Sequence, residues 1–141
     1  MKQRHSFHRL FYHLVFATKH REPWIAAPED GVALLGLFRA KAAALDAYVE
    51  EFGCYKDHVH LLLRSGPTVA LSELYGQLKG FAAWEIRGRC PSIPFRWQDG
   101  VWIETVAPAR SDSLRTYIRD QWRRHESRSI IEEWEPPSDC P

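Results

Sequence analysis

Apolar residues along this chain follow two spacings, one typical of strands and one typical of helices. Runs rich in aromatic and β-branched residues predict extended strands, whereas apolar residues that recur about every 3.6 positions predict helices. The predicted strands cover 9–18, 47–55, 58–64 and two short stretches around Gln98-Asp99-Gly100 within 95–106. The predicted helices start near Pro28-Glu29-Asp30, cover roughly 70–88, and run from Ser111 or Ser113 to about His125.

The predicted elements follow one another as strand, helix, strand, strand, helix, strand, with one further helix. This order matches the split β-α-β-β-α-β arrangement, so we expect an α+β fold of the ferredoxin-like or RRM-like kind. Its antiparallel sheet would carry two helices on one face and leave the other face open for a site. We expect residues 1–130 to form one domain and residues 131–141 to form a short C-terminal tail, in which EPPSDCP at 135–141 should be loose. The extra helix carries Tyr117.

Composition limits the classes of protein to which this chain can belong. Its 141 residues suit a single domain, and a 45% share of hydrophobic residues is enough for a sizeable core. No apolar stretch approaches the ~20 residues of a transmembrane helix, and the N-terminus has no convincing signal-peptide cleavage site. The three cysteines show no CxxC spacing, so we expect a reducing cytoplasm and neither a disulfide framework nor a zinc cluster.

The net charge of +1 hides two basic clusters. Residues 1–21 hold Lys and Arg without any acid, and residues 110–128 hold six arginines against three acids. Because affinity for phosphates depends on local clusters, this distribution is compatible with a polyanionic partner. Ordinary solvated surface is the alternative explanation.

The strongest chemical pattern is the tetrapeptide DHVH at 57–60, which opens an apolar run. Side chains alternate between the two faces of a strand, so His58 and His60 point the same way and Val59 points into the opposite layer. Two imidazoles on one face form half of a metal site. Two polar residues on a half-exposed strand are the alternative. A histidine-triad hydrolase needs a third histidine at position 62, which is Leu here.

Tyr117 and Gln121 lie four residues apart on the last predicted helix and therefore share one face. If that helix crosses the open sheet face, the phenol and the carboxamide can approach the two imidazoles. Such a cluster could hold a divalent metal that polarises a phosphodiester, while the tyrosine oxygen attacks phosphorus. A helix residue with its hydroxyl at the surface is the alternative for Tyr117. His125 lies on roughly the same face and could support the site without being a ligand.

Five stretches, in order along the chain, carry a resemblance to a known family. They are YHLVFATKHREPWI, DHVHLLLRS, LSELYGQLKGFAAWEI, FRWQDG and SLRTYIRDQWRRH. The His-hydrophobic-His strand preceded by aspartate resembles the HUH motif of nucleic-acid-cutting enzymes. The whole chain resembles the single-tyrosine HUH transposases of bacterial insertion sequences, particularly the REP-associated group. That family has the same split β-α-β-β-α-β fold.

The resemblance implies a role for each matching residue. His58, His60 and Gln121 would be the ligands of Mg²⁺ or Mn²⁺. Tyr117 would be the nucleophile that forms a 5′-phosphotyrosine link and leaves a free 3′-hydroxyl. The substrate would be single-stranded DNA near hairpins, and the chain would form a homodimer, although REP-associated members can act as monomers. Val101 stands where family members often have an aromatic residue, which affects DNA recognition rather than the catalytic set.

Six basic residues are the candidate DNA contacts. They are Lys19, Arg21, Lys79, Arg115, Arg119 and Arg123. The family resemblance favours a phosphate-binding role for the first two, at the end of the first strand, with a solvated loop as the alternative. The last three recur every four residues and form a basic stripe, which could bind phosphates or keep the helix soluble.

Together these patterns predict a transposase, that is, a metal-dependent endonuclease and strand transferase for single-stranded DNA. A non-catalytic nucleic-acid-binding module on the same sheet is the alternative. A replication-initiation or relaxase HUH enzyme is a third hypothesis, but such proteins usually carry additional domains.

Overall fold

The computed structural model describes residues 7–137. Residues 1–6, which belong to the basic N-terminal cluster, and residues 138–141 of the predicted tail lie outside the described residues. The strands and helices are β1 (Phe11–Ala17), α1 (Pro28–Ala44), β2 (Ala47–Tyr55), β3 (His58–Ser65), α2 (Leu71–Arg89), β4 (Trp102–Val106), α3 (Ser111–Arg119) and α4 (Gln121–Glu126). Short 3₁₀ turns occupy Lys19–Arg21, Pro108–Arg110 and Glu132–Trp134.

The strands form one sheet in the order β2-β3-β1-β4, and every neighbouring pair is antiparallel. A two-residue turn, Lys56-Asp57, joins β2 to β3. The predicted α+β class with an antiparallel sheet is therefore confirmed.

The two faces of the sheet carry different residues because side chains alternate along each strand. On β3, Val59, Leu61 and Leu63 belong to the main hydrophobic core, together with residues of α1 and α2. Leu62 packs instead with Leu114 and other residues of α3 on the opposite face. The face that the sequence predicts to be free of α1 and α2 is thus the face on which α3 lies.

The helices α1 and α2 begin close to their predicted starts, and α2 also ends close to its predicted limit. α1 begins at Pro28, where the missing N–H of proline is harmless because the first turn has no intrahelical acceptor. The Asp30 carboxylate accepts a hydrogen bond from the Ala27 N–H at 2.9 Å and thereby caps the helix. Among the described residues, no helix has both the length and the apolar character needed to cross a bilayer.

The segment before β4 differs from the prediction of two short strands. Residues 95–97 contribute only a single antiparallel bridge, between Trp97 and Thr18. The physical reason is that Trp97 belongs to the core and donates its indole N–H to the Lys79 carbonyl at 3.0 Å, so the chain turns towards α2. Gly100 adopts a φ of 84°, a left-handed conformation that suits glycine in the predicted Asp-Gly turn.

The last predicted helix is divided in two. α3 ends at Arg119 and α4 begins at Gln121, with Asp120 between them at φ −91° and ψ 12°. Serine does not cap α3 as predicted, because the Ser111 hydroxyl donates back to the Pro108 carbonyl at 2.8 Å. The preceding 3₁₀ turn leads directly into the helix and takes the place of a side-chain cap.

Candidate functional site

β3 places His58 and His60 side by side on the sheet face that α3 covers. Their ring centroids lie 5.1 Å apart, and both side chains are buried. Val59, between them, packs into the core on the opposite face, as the alternation of a strand requires. The structure therefore brings the two predicted imidazoles together with a shared orientation.

His58 is held in place by the acidic residue that precedes it. Its Nδ1 lies 2.8 Å from Oδ1 of Asp57, whose other carboxylate oxygen accepts a hydrogen bond from Arg21 at 3.1 Å. Burial alone would raise the pKa of Asp57, but the hydrogen bond and charge of His58 and the charge of Arg21 lower it. With a proton on Nδ1, the ring keeps a lone pair on Nε2, which lies 3.4 Å from Gln121 Oε1. Both atoms are then acceptors, so a proton or a cation between them would satisfy both.

His60 is oriented by His13 of β1. The Nδ1 atom of His60 lies 2.9 Å from Nε2 of His13, and the two rings stack with centroids 5.1 Å apart. The Nε2 atom of His60 has no aligned hydrogen-bond partner among the described residues. Burial lowers the pKa of His60 to about 4, against an opposing effect of Glu135. The ring is therefore neutral at pH 7 and can offer a lone pair to a metal.

Tyr117 and Gln121 reach the same place from two consecutive helices, and both are buried. Their close approach to the sheet depends on Gly53 of β2, which pairs with His60 on β3. A Cβ atom at Gly53 would lie 1.7 Å from the Ile118 carbonyl oxygen and 3.1 Å from Cγ of Gln121. A glycine in a strand often marks such a close approach, and here it makes room for the helices.

The hydroxyl of Tyr117 is bound by the segment that follows α4. It donates a hydrogen bond to Glu135 Oε2 at 2.7 Å and accepts one from the Ile131 N–H at 3.1 Å. The indole of Trp134 packs against the phenol with ring centroids 5.1 Å apart. Burial raises the pKa of Tyr117 to about 12, and the hydrogen bond to Glu135 adds to this effect. The phenol is therefore neutral at pH 7.

Glu135 is the site residue that sequence reasoning missed. It is the first residue of the stretch expected to be loose, yet its Oε2 lies 3.2 Å from His60 Nε2 and its Oε1 lies 3.1 Å from His125 Nε2. Burial would raise the pKa of Glu135, but the hydrogen bond from His125, the nearby imidazole of His60 and the hydrogen bond from Tyr117 hold it well below its usual range. The sequence offers only an acid shortly after a helix, which is too common a pattern to identify a site.

His125 lies where the sequence places a supporting group. Its Nε2 is 3.0 Å from Gln121 Oε1 and 3.1 Å from Glu135 Oε1, so a proton on this nitrogen can orient both oxygens. The ring centroid lies 4.7 Å from that of His58. His58, His125 and Glu135 offer ligand atoms that all lie within 4.8 Å of one another.

The donor atoms gathered here fit a divalent metal. His58 and His60 both direct Nε2 inwards because a neighbour holds Nδ1, which is the arrangement of metal-ligating histidines. The carboxamide oxygen of Gln121 adds a harder ligand of the kind that Mg²⁺ and Mn²⁺ accept. The buried Nε2 of His60, which lacks an aligned partner within the described range, is a lone pair that a cation would satisfy.

The six candidate DNA contacts do not gather at one place. The arginines form ion pairs, which are Arg21–Asp57, Arg115–Glu50, Arg119–Glu51 and Arg123–Asp120. Lys79 donates to the carbonyls of Gln98 and Gly100 at 2.8 and 2.6 Å, and Lys19 begins the 3₁₀ turn after β1. Three of them, Arg115, Arg119 and Arg123, belong to α3 and α4. Lys79 belongs to α2, on the other face of the sheet.

The site opens onto a cleft of ≈ 640 Å³, a size common among ligand-binding clefts. Its lining includes His58, His125 and Glu135 of the site, together with His20 and Arg21 of the turn after β1. His20 and Arg21 have φ values of 56° and 57°, which are uncommon for residues other than glycine. This tight turn brings the Arg21 side chain beside the carboxylate that holds His58.

Comparison with known sequences connects this geometry to one family. The family described as "Transposase IS200 like" matches residues 6–121. The chain is 27% identical over 116 residues to the transposase for insertion sequence element IS200 of Salmonella typhimurium, covering 78% of this chain and 75% of that protein. It is 29% identical over 126 residues to the ISDra2 transposase TnpA of Deinococcus radiodurans, covering 85% of this chain and 89% of that protein.

Two solved structures have a similar fold. A crystal structure of a protein assigned as a transposase from Deinococcus radiodurans R1 has a TM-score of 0.69 and 25% identity, covering 86% of this chain and 98% of that one. A REP-associated tyrosine transposase bound to a REP hairpin has a TM-score of 0.63 and 10% identity, covering 92% of this chain and 76% of that one. At that identity the second similarity concerns the fold alone.

Proposed function

This chain belongs to the IS200-like transposase family, and from that premise we propose that it is a metal-dependent endonuclease and strand transferase for single-stranded DNA. It would act through a 5′-phosphotyrosine intermediate in DNA transposition. One observation carries the proposal. Within a single chain, two imidazoles, a carboxamide and a phenol surround one buried point between β3 and the helices α3 and α4.

Tyr117 is the proposed nucleophile. Its Oη atom would form a bond to the phosphorus of a phosphodiester while the bond between phosphorus and the 3′ oxygen breaks. The phenol gives up one proton, and the departing 3′ oxygen gains one to become a free hydroxyl. Because the tyrosine–phosphate link keeps the energy of a phosphodiester, a 3′-hydroxyl can reverse the step and rejoin two strands.

His58, His60 and Gln121 are the residues that would hold Mg²⁺ or Mn²⁺. The ion, when bound, would polarise a phosphodiester oxygen and neutralise charge that develops in the transition state. Such assistance matters here because burial raises the pKa of Tyr117 to about 12, which makes the neutral phenol a weak nucleophile at pH 7. The role of the chain is to hold both imidazoles in the orientation that a metal ion requires.

Cleavage would also require the C-terminal segment to release the hydroxyl of Tyr117. The Tyr117 side chain is 1% exposed, and its hydroxyl is enclosed by the hydrogen bonds from Ile131 and to Glu135. A phosphodiester can therefore reach Oη only when both hydrogen bonds are broken and residues 131–134 move aside. We propose that this displacement precedes the attack on DNA.

Single-stranded DNA with hairpin ends is the proposed partner. A structure of similar fold is bound to a REP hairpin, and the arginine stripe along α3 and α4 offers positive charge. Arg119 is representative, since its side chain is 62% exposed and pairs with Glu51 at 2.9 Å. If a phosphate displaces that carboxylate, Arg119→Ala should weaken DNA binding and reduce the slope of log affinity against log salt by about 1. An unchanged slope would remove Arg119 from the interface.

We propose a homodimer as the assembled form, with each active site built within one chain. The presence of all four groups in one chain supports this choice. Mixing Tyr117→Phe with a His58→Ala, His60→Ala double variant tests it, because sites built within a chain should give no covalent adduct. Restored adduct in the mixture would show that Tyr117 of one subunit serves the imidazoles of the other.

The test of the proposed function is a covalent adduct with an oligonucleotide that carries a hairpin beside a cleavable single strand. On denaturing gels we expect a Mn²⁺-dependent adduct for the wild type and none for Tyr117→Phe, which should still bind DNA. Tyr48→Phe is the matched control because that tyrosine is 60% exposed on β2, away from the site. Undiminished adduct in Tyr117→Phe would contradict the assignment. DNA binding without adduct under any metal condition would favour a non-catalytic binding module.

A further inference from the structure

The C-terminal segment beyond α4 enters the candidate site through one side chain. The 3₁₀ turn at Glu132–Trp134 directs the chain back towards α3, where Trp134 packs against Tyr117. Arg110 fixes this turn through a hydrogen bond to Glu133 at 3.0 Å. The family match ends at residue 121, so this segment lies outside the part of the chain that the family describes.

Glu135 ends this segment with its carboxylate among the predicted metal ligands. Its Oε2 atom lies 3.2 Å from Nε2 of His60, and its Oε1 atom lies 3.7 Å from Nε2 of His58. Only 11% of the side chain is exposed. The carboxylate thus faces both imidazoles, and Gln121 faces that of His58 from α4.

These separations match the spacing of atoms around a common ion. Donor atoms bound to one metal at bond lengths near 2.0–2.2 Å lie about 3.0–3.5 Å from one another. The predicted ligands His58 and Gln121 are 3.4 Å apart. Glu135 lies 3.2 Å from His60, within this range, and 3.7 Å from His58, slightly beyond it. A carboxylate oxygen is also the ligand type that Mg²⁺ and Mn²⁺ prefer, and imidazoles alone do not supply it.

We propose that Glu135 is a further ligand of the same metal, supplied by the C-terminal segment. This inference rests on the proposed function, because it concerns the metal on which cleavage would depend. It also connects the metal to the nucleophile, since the hydroxyl of Tyr117 donates to Oε2 of Glu135 at 2.7 Å. A carboxylate that shares its charge with a cation is a weaker hydrogen-bond acceptor, so metal binding would loosen the hold on Tyr117.

The test is Mn²⁺ binding by titration calorimetry on the full chain without DNA. We expect Glu135→Ala to weaken Mn²⁺ affinity about ten-fold or more, within the range known for losses around metal sites. Glu135→Gln should lose less, because its amide oxygen can still ligate as that of Gln121 would. Glu132→Gln is the matched control, since Glu132 lies in the 3₁₀ turn just before Glu135 but is exposed. This variant should bind Mn²⁺ as the wild type does.

A second measurement shows whether Glu135 ligates the metal or only contributes a nearby negative charge. The visible spectrum of bound Co²⁺ depends on the number and type of its ligands, and we expect Glu135→Ala to change its bands. Wild-type Mn²⁺ affinity in Glu135→Ala, or an unchanged Co²⁺ spectrum, would overturn the inference. If Glu135→Ala does not fold, Glu135→Gln should still bind Mn²⁺ more weakly than the wild type and change the Co²⁺ bands, and wild-type values in both measurements would overturn the inference. Failure of the proposed function is distinguishable, since it would appear as normal metal binding without any DNA adduct.

Discussion

Replacing Gly53 by alanine should push the helices away from the sheet and separate the candidate metal ligands. A Cβ atom at this position would lie 1.7 Å from the carbonyl oxygen and 2.7 Å from the carbonyl carbon of Ile118. Both are backbone atoms of α3, so a side-chain rotation cannot relieve the contact. The helix itself has to move, together with Tyr117 and the following Gln121.

The size of the movement follows from these distances. Real Cβ atoms essentially never approach another heavy atom closer than 3.0 Å, so Ile118 has to retreat by about 1.3 Å, the difference between 3.0 and 1.7 Å. Overpacking of this kind lowers the free energy of unfolding by about 1–3 kcal/mol, which a domain of typical stability survives. A misplacement near 1 Å at a reacting centre costs about 10²-fold in rate.

Two assays on the same preparation test this expectation. Urea unfolding should show Gly53→Ala folded but destabilised, and single-turnover adduct formation with Mn²⁺ should be about 100-fold slower. Gly76→Ala in α2 is the matched control, because a Cβ there would meet no atom within 4 Å. In that helix the added methyl should leave cleavage unchanged and raise stability by up to about 1 kcal/mol.

Two results would refute this reasoning. If Gly53→Ala cleaved DNA and bound Mn²⁺ as the wild type does, the close contact between β2 and α3 would play no part in the active arrangement. If Gly53→Ala were destabilised but still cleaved DNA at the wild-type rate, the packing of α3 on β2 would not determine the position of Tyr117.

Further predictions concern the groups that hold the imidazoles. Burial lowers the pKa of His13 to about 3 and of His60 to about 4, so the unfolded chain binds protons that the folded chain does not. Stability should therefore fall below pH 6.5, by about 2 kcal/mol for one such ring between pH 7 and pH 5. Urea unfolding with a chelator present measures this, and a flat profile would contradict it. Asp57→Ala should free the His58 ring and weaken Mn²⁺ affinity about 10–100-fold, and calorimetry showing wild-type affinity would contradict that role.

The strand pattern allowed much of the sheet and the placement of two imidazoles to be predicted. β2 has its predicted limits, and β3 extends the prediction by one residue, because alternation and a two-residue turn are local properties of the sequence. The shared face of His58 and His60 follows from the same alternation. Their roles as ligands, and those of Tyr117 and Gln121, stay predictions.

Features that depend on tertiary contacts could not be predicted in this way. The break at Asp120 lies inside a continuous helical pattern, and the need for Gly53 arises only when α3 packs on β2. Residues 95–97 have strand-like composition, but Trp97 belongs to the core and the chain turns away from the sheet. Glu135 reaches the imidazoles through a 3₁₀ turn that has no pattern in the sequence.

The identity of the residue that becomes attached to DNA tests the central claim most directly. After reaction with a cleavable oligonucleotide and Mn²⁺, trypsin should release the peptide Thr116–Arg119, because Arg115 and Arg119 flank Tyr117. We predict that mass spectrometry finds the 5′-phosphorylated nucleotide on this peptide, bound to the tyrosine oxygen. A nucleotide on any other peptide would contradict the assignment of Tyr117 as the nucleophile of this site.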